Sequence, residues 1–177
     1  MHKFNLGLML IVGSLFWGCV SFPDASEKNQ TLTIGQVILE AKGWSTANIS
    51  INGTHKVGIE ITIQNSENEK AYLVKSRSDG LFYTTNIPKG NYKITKMYFK
   101  KTSGSAWRDV WIEPSRGQFE IQDGCVNNFG ILAWHAESSK STLTGNNEYE
   151  EVRMLFLEKY VSSNWNEKEW KSTAIGR

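Results

Sequence analysis

Residues 56–64, "KVGIEITIQ", carry the pattern that decides the fold. Val57, Ile59, Ile61 and Ile63 recur at every second position, with Gly58, Glu60, Thr62 and Gln64 between them. Successive side chains of an extended chain point to opposite faces, so this spacing lines up four β-branched residues on one side and leaves the other side polar. A helix would scatter the same four around its circumference. The segment is a strand half-buried against an apolar layer.

Segments of the same kind lie on both sides of it: "TLTIGQVIL", "NISING", "KAYLVKS", "LFYTTNI", "NYKITKMYFK", "AWRDVWIE", "GQFEIQ" and "VNNFGILAWHA". Turn chemistry separates them, at Asn52-Gly53, Asp79-Gly80, Pro88-Lys89-Gly90-Asn91, Ser103-Gly104 and Asp123-Gly124. Many short strands punctuated in this way predict a mainly β chain folded as an antiparallel β-sandwich over residues 31–137. In "NYKITKMYFK" the alternation slips, from Tyr92 and Ile94 to Met97 and Phe99, which predicts a bulge or a change of sheet.

Beyond residue 137 the character changes. "SSKSTLTGNN", 138–147, reads as a polar loop, and "EYEEVRMLFLEKY" as a C-terminal α-helix with Tyr149, Val152, Leu155, Phe156 and Tyr160 on one stripe. Asn147 with Glu150 has the spacing of a capping box. A second short helical turn is expected to hold Trp165 and Trp170. Residues 138–177 are therefore read as a loop and a helical segment packed on the sandwich.

The 177 residues allow one domain with a real core. Formal net charge is +2, and the first 18 residues carry only Lys3 as a charged side chain, so the remainder is nearly neutral. Nucleic-acid binding needs a clustered basic face to replace counterions, and none is present.

Residues 1–18 have a basic start, an apolar run from Leu6 to Trp17 and a small residue, Gly18, before Cys19, which describes an export signal. The run is shorter than the roughly 20 apolar residues of a membrane span. The segment "LFWGC" resembles a relaxed bacterial lipobox, in which the cysteine after the cut is acylated, palmitate included, and becomes the mature N-terminus. The resemblance implies lipidation at Cys19 and a partner in the membrane reached through that lipid anchor. Val20 is not an acidic retention signal, which points to the outer membrane of a bacterial cell envelope. Residues 19–30 then form a polar tether. The other cysteine, Cys125, is left without a disulfide partner and reads either as a buried apolar residue or as a reactive thiol.

The stretch "SDGLFYTTNIPKGNYKITKMYFK", 78–100, resembles the transthyretin-like β-sandwiches, which include carboxypeptidase regulatory-like and Cna-B-like domains. The matching residues are Gly80, Phe82, Pro88, Gly90 and Tyr92. The resemblance implies a non-catalytic module that stiffens or presents other parts, and it carries over no catalytic residue.

Chemistry is sparse. No H-E-x-x-H, C-x-x-C or G-x-S-x-G spacing occurs, so neither a metal, another cofactor nor a nucleophile elbow is expected. His135 and Glu137 stand two apart on a strand and are the candidate acid/base pair of a hydrolase reading. Trp107 and Trp111, with Trp44, are candidates for stacking on a glycan. The expected role is that of a membrane-anchored envelope lipoprotein acting as a structural or protein-interaction module. A glycan-binding module is the alternative.

Overall fold

The computed structural model describes residues 22, 24–46, 49–56, 58–85, 87–100, 107–111, 117–137 and 141–175. Among these, the side chains of 42–46, 49–52, 99–100, 107–111, 136–137 and 141 are outside the description. Among the described residues eleven strands form two sheets. Strands β1 (Leu32–Thr46), β2 (Ile49–His55), β5 (Leu81–Thr84), β9 (Val126–Glu137), β10 (Ser141–Asn146) and β11 (Trp170–Ser172) make the first. Its path runs β10-β9-β1-β2, with β5 also pairing β1 and β11 also pairing β9. The second has β3 (Ile59–Asn65), β4 (Ala71–Lys75), β6 (Gly90–Lys100), β7 (Trp107–Trp111) and β8 (Gln118–Ile121) in the path β4-β3-β6-β7, with β8 also on β6. The helix α1 (Tyr149–Lys159) and a 3₁₀ turn, Asn164–Glu167, follow the last long strands.

The chain is thus a β-sandwich with a C-terminal helix, as the alternation predicts. Ile59, Ile61 and Ile63 are buried on the inner face of β3, while Val57 lies outside the described residues. The slip in β6 is a bulge: Ile63 opposes Ile94 and Thr62 opposes Lys96, so Thr95 is the extra residue. It lets Tyr92 and Ile94 before it and Met97 after it all point inward.

A second bulge sets the architecture of the first sheet. Most pairings are antiparallel, but β1 and β9 run parallel, and their register jumps between Ile34–Asn128 and Gln36–Ile131. Strict alternation from Phe129, which faces the sandwich, would turn Ile131 to the same side. The residue inserted at Gly130 sends Ile131 outward instead, into a separate cluster with Leu32, Ile34 and Val126. Gly130 has φ 64°, and a Cβ there would lie 2.6 Å from the Asn146 carbonyl oxygen, so only glycine fits.

That outer cluster is where α1 packs. Val152 and Phe156 are fully buried from the helix, Tyr160 follows it, and Trp165 comes from the 3₁₀ turn. The molecule therefore has three layers: helix, first sheet, second sheet.

Several expectations need correction. The loop read over 138–147 contains strand β10, and Trp170 lies in strand β11 rather than in a helical turn, so the sandwich does not end at residue 137. The capping box does not form: Glu148 is the N-cap without a side-chain bond, and the Asn147 Oδ1 accepts from the Tyr149 hydroxyl instead. The described part of the tether is not free. Phe22 is buried and Ala25 and Gln30 are partly buried, while Ser26 to Asn29 are exposed.

Candidate functional site

The docked N-terminal segment is the feature that sequence reasoning missed most completely. Phe22 stacks into an aromatic cage, with ring centroids 4.4 Å from Tyr83, 4.8 Å from Tyr160 and 5.0 Å from Phe156. Beyond it the backbone is tied reciprocally to Asn164. The Ala25 amide donates to Asn164 Oδ1 at 2.8 Å, Asn164 Nδ2 donates to the Ala25 carbonyl at 3.2 Å, and the Asn164 amide donates to Asp24 Oδ1 at 3.0 Å. Lys168 also donates to the Lys28 carbonyl. Between this segment and the 3₁₀ turn lies an open groove of about 490 Å³, with Lys28, Lys168, Glu167 and Glu169 on its walls.

Charged groups ring the aromatic cage. Arg77 donates to the Tyr160 hydroxyl at 2.8 Å, and Lys159 pairs with Asp79. Burial pushes the Tyr160 phenol up to about 12, reinforced by its hydrogen bond and charge interaction with Tyr83 and opposed by Arg77. Burial alone would raise the Asp79 carboxyl. Lys159, the Leu81 amide and Arg77 outweigh it and hold the group below the usual carboxylate range.

His135 sits elsewhere, on the outer face of the first sheet beyond the reach of the helix. Its Nδ1 meets Glu40 Oε2 at 2.7 Å and its Nε2 meets Thr144 Oγ1 at 2.7 Å. The carboxylate partner is therefore Glu40, which the parallel pairing of β1 and β9 places directly beside it. The side chain of Glu137 lies outside the described residues. Hydroxyl, imidazole and carboxylate are linked in the order that activates a nucleophile in hydrolases. Here the three lie on an open sheet face, with His135 and Glu40 side chains 36 % and 39 % exposed. At this point β1 and β9 are interior strands whose backbone groups are committed to ladders, and Thr144 lies on β10 at the end of the sheet path. The arrangement clamps three strands together. The only sequence signal for it is Glu40, the one charged residue in an otherwise apolar and polar-neutral run, "TIGQVILEA".

Cys125 is 2 % exposed, and its Sγ approaches the Gln122 carbonyl at 3.6 Å. Burial pushes its thiol up, which favours the protonated form. Of the stacking candidates, Trp44 lies in β1, and Trp107 and Trp111 at the two ends of β7; their side chains are outside the described residues. Cys19 also lies outside them. Among the described residues no group of three His, Cys, Asp or Glu side chains is placed to hold a metal, and no helix is long and apolar enough to cross a membrane.

A third surface is the edge of the second sheet. Strand β4 pairs only with β3 along its length, leaving its outer backbone edge unpaired from Ala71 to Val74 among the described residues. Leu73 stands on its outward face, 55 % exposed.

No protein-family model matches the chain. No curated protein matches it either. Among solved structures, a leucine-rich repeat protein from Bacteroides thetaiotaomicron is similar over 62 % of this chain and 14 % of its own, at 12 % identity and a TM-score of 0.34. The chain spans about one seventh of that protein's length, and at that score the likeness supports no assignment.

Proposed function

We propose that this chain is a bacterial envelope lipoprotein, anchored through an acylated Cys19, whose transthyretin-like sandwich serves as a non-catalytic protein-interaction module. The β4 edge is the observation that carries the interaction reading. An unpaired strand with an exposed Leu73 offers backbone hydrogen bonds and an apolar contact to an incoming strand of a partner. Lys70 and Lys75 flank it, which keeps the edge from pairing with itself.

The test uses the full chain in bacterial membranes. A photo-cross-linking residue at position 73 is compared with one at Met154, which is slightly more exposed but lies on the helix. The expected outcome is a discrete cross-linked protein from position 73 only, on a chain whose N-terminal peptide begins at Cys19 and carries acyl mass. No adduct at position 73 would sink the interaction reading, and an intact, unacylated N-terminus would sink the lipoprotein reading.

A further inference from the structure

Resting on that anchoring reading, we infer that the lipid holds the domain helix-side down, with the surface around Phe22 and Val161 seated on the bilayer. The argument is one of reach. Cys19 is three residues before Phe22, and three residues span at most about 11 Å. Phe22 is 5 % exposed and caged by Tyr83, Phe156 and Tyr160, so this short leash ends at a fixed point on the domain. The headgroup layer on one side of a bilayer is itself about 5–7 Å thick. An acylated residue embedded at its base leaves no room for a gap between headgroups and the protein surface next to Phe22.

The residues at that surface suit the position. Val161 follows Tyr160 directly and is 78 % exposed, the most exposed of the large apolar side chains among the described residues. Lys159 and Arg77 flank the same cage and Lys168 borders the adjoining groove, but Lys159 is paired with Asp79 and Glu27, Glu167 and Glu169 share the groove walls, so the surface is of mixed charge and the orientation rests on reach. Leu73 is on the outer face of the second sheet, at the far side of the sandwich. Two layer spacings of about 10 Å each separate that face from the helix layer. The Leu73 side chain therefore points away from the helix layer, although β4 itself runs on within two residues to Arg77 at the cage.

The experiment reads depth at two points. The full-length chain is purified from bacterial membranes and its N-terminal peptide is weighed. It is then reconstituted into phosphatidylethanolamine and phosphatidylglycerol vesicles containing lipids spin-labelled near the headgroup. A fluorophore is attached at Val161→Cys or, separately, at Leu73→Cys; Cys125 is buried and does not compete for the label. Quenching several-fold stronger at position 161 than at 73 is expected. Inserting about twelve Gly/Ser residues between Ser21 and Phe22, a coil of roughly 20 Å, should abolish most of that difference. Equal quenching at both positions on an acylated chain overturns the orientation while leaving the anchor intact. A difference that survives the insertion overturns the short leash as its cause. A chain without acyl mass overturns the anchoring reading itself, and the orientation with it.

Discussion

The two apolar clusters of this molecule are built in different ways. The cluster between the sheets draws mostly on alternating positions: Val37 and Leu39, then Ile59, Ile61 and Ile63, then Ile94 and, past the Thr95 bulge, Met97, then Leu132 and Trp134. Strands β1, β3, β6 and β9, which supply these residues, each have strand neighbours on both sides. The cluster under the helix is assembled from pieces remote in sequence, with Phe22, Tyr83, Phe156, Tyr160 and Trp165 meeting around Leu32, Ile34 and Ile131. It is rich in aromatics that touch at ring distances near 5 Å. A core made by periodicity is expected to fail as a whole. One made by convergence is expected to come apart piece by piece.

The largest effect that separates them is a deletion in the inner cluster. Trp134 has no solvent exposure, and Trp134→Ala is expected to cost about 3–5 kcal/mol, a large share of the stability of a domain this size. Urea unfolding followed by circular dichroism should show one transition shifted to lower urea. Two separated transitions would show that the layers do not unfold together even when the centre is cut.

Phe22→Ala comes next. Burying a phenylalanine side chain is worth about 1.5–3 kcal/mol, and that is an upper limit here, because the end segment can lift away instead of leaving a cavity. Amide hydrogen exchange should quicken in α1 and the 3₁₀ turn while β3 and β6 stay protected. Uniform acceleration through both sheets would contradict the idea of a separately held layer.

This division matches what could be read from the chain. "KVGIEITIQ" discloses its strand because burial on one face imposes a period of two, and the helix stripe from Val152 to Tyr160 discloses itself through the other period. Strand β10 gives no such signal. Leu143 is its only buried member among the described side chains and the rest is Ser, Thr, Gly and Asn, a polar run without apolar alternation. What makes it a strand is the backbone of β9 beside it, and a neighbour's hydrogen bonds leave no trace in local composition. The docking of Phe22 was hidden for a related reason. Its partners lie about 60 and 135 positions away, and a single aromatic in a polar segment carries no period. The Glu40–His135 contact needed the parallel register of β1 on β9, which the alternation of either strand alone does not specify.

Alkaline pH offers a finer probe of the helix-side cluster. The Tyr160 phenol titrates near 12 in the folded chain against about 10 when exposed. Below pH 10 both states keep the proton and its contribution is complete. Above 10 the unfolded chain releases the proton first, so stability falls with rising pH until the folded group follows at about 12. Urea midpoints between pH 9 and 12 should drop for the native chain. In Tyr160→Phe, which also loses the Arg77 hydrogen bond, this phenol's part of the slope should vanish.

The smallest effect is expected from the ion pair that ties the β4–β5 turn to the end of α1. Asp79 does two things: one oxygen accepts from the Leu81 amide at 3.0 Å, shaping the turn, and the other meets Lys159 on the helix. Asp79→Asn keeps an acceptor for the turn and removes only the charge, whereas Asp79→Ala removes both. Because Asp79 and Lys159 are each about one-third exposed, the pair itself contributes about 1 kcal/mol or less. Its folded carboxyl titrates below the ordinary range, so the contribution is present above the unfolded value near 4 and disappears as pH falls through the lower, folded one. Asp79→Asn should therefore flatten this part of the acid limb of stability and quicken exchange at the last turn of α1 without touching β3. If Asn and Ala behave alike at neutral pH, the ion pair is what holds the helix end. A much larger loss in the Ala variant would assign the role to the turn, and would tie the helix layer to the sandwich through backbone geometry rather than through charge.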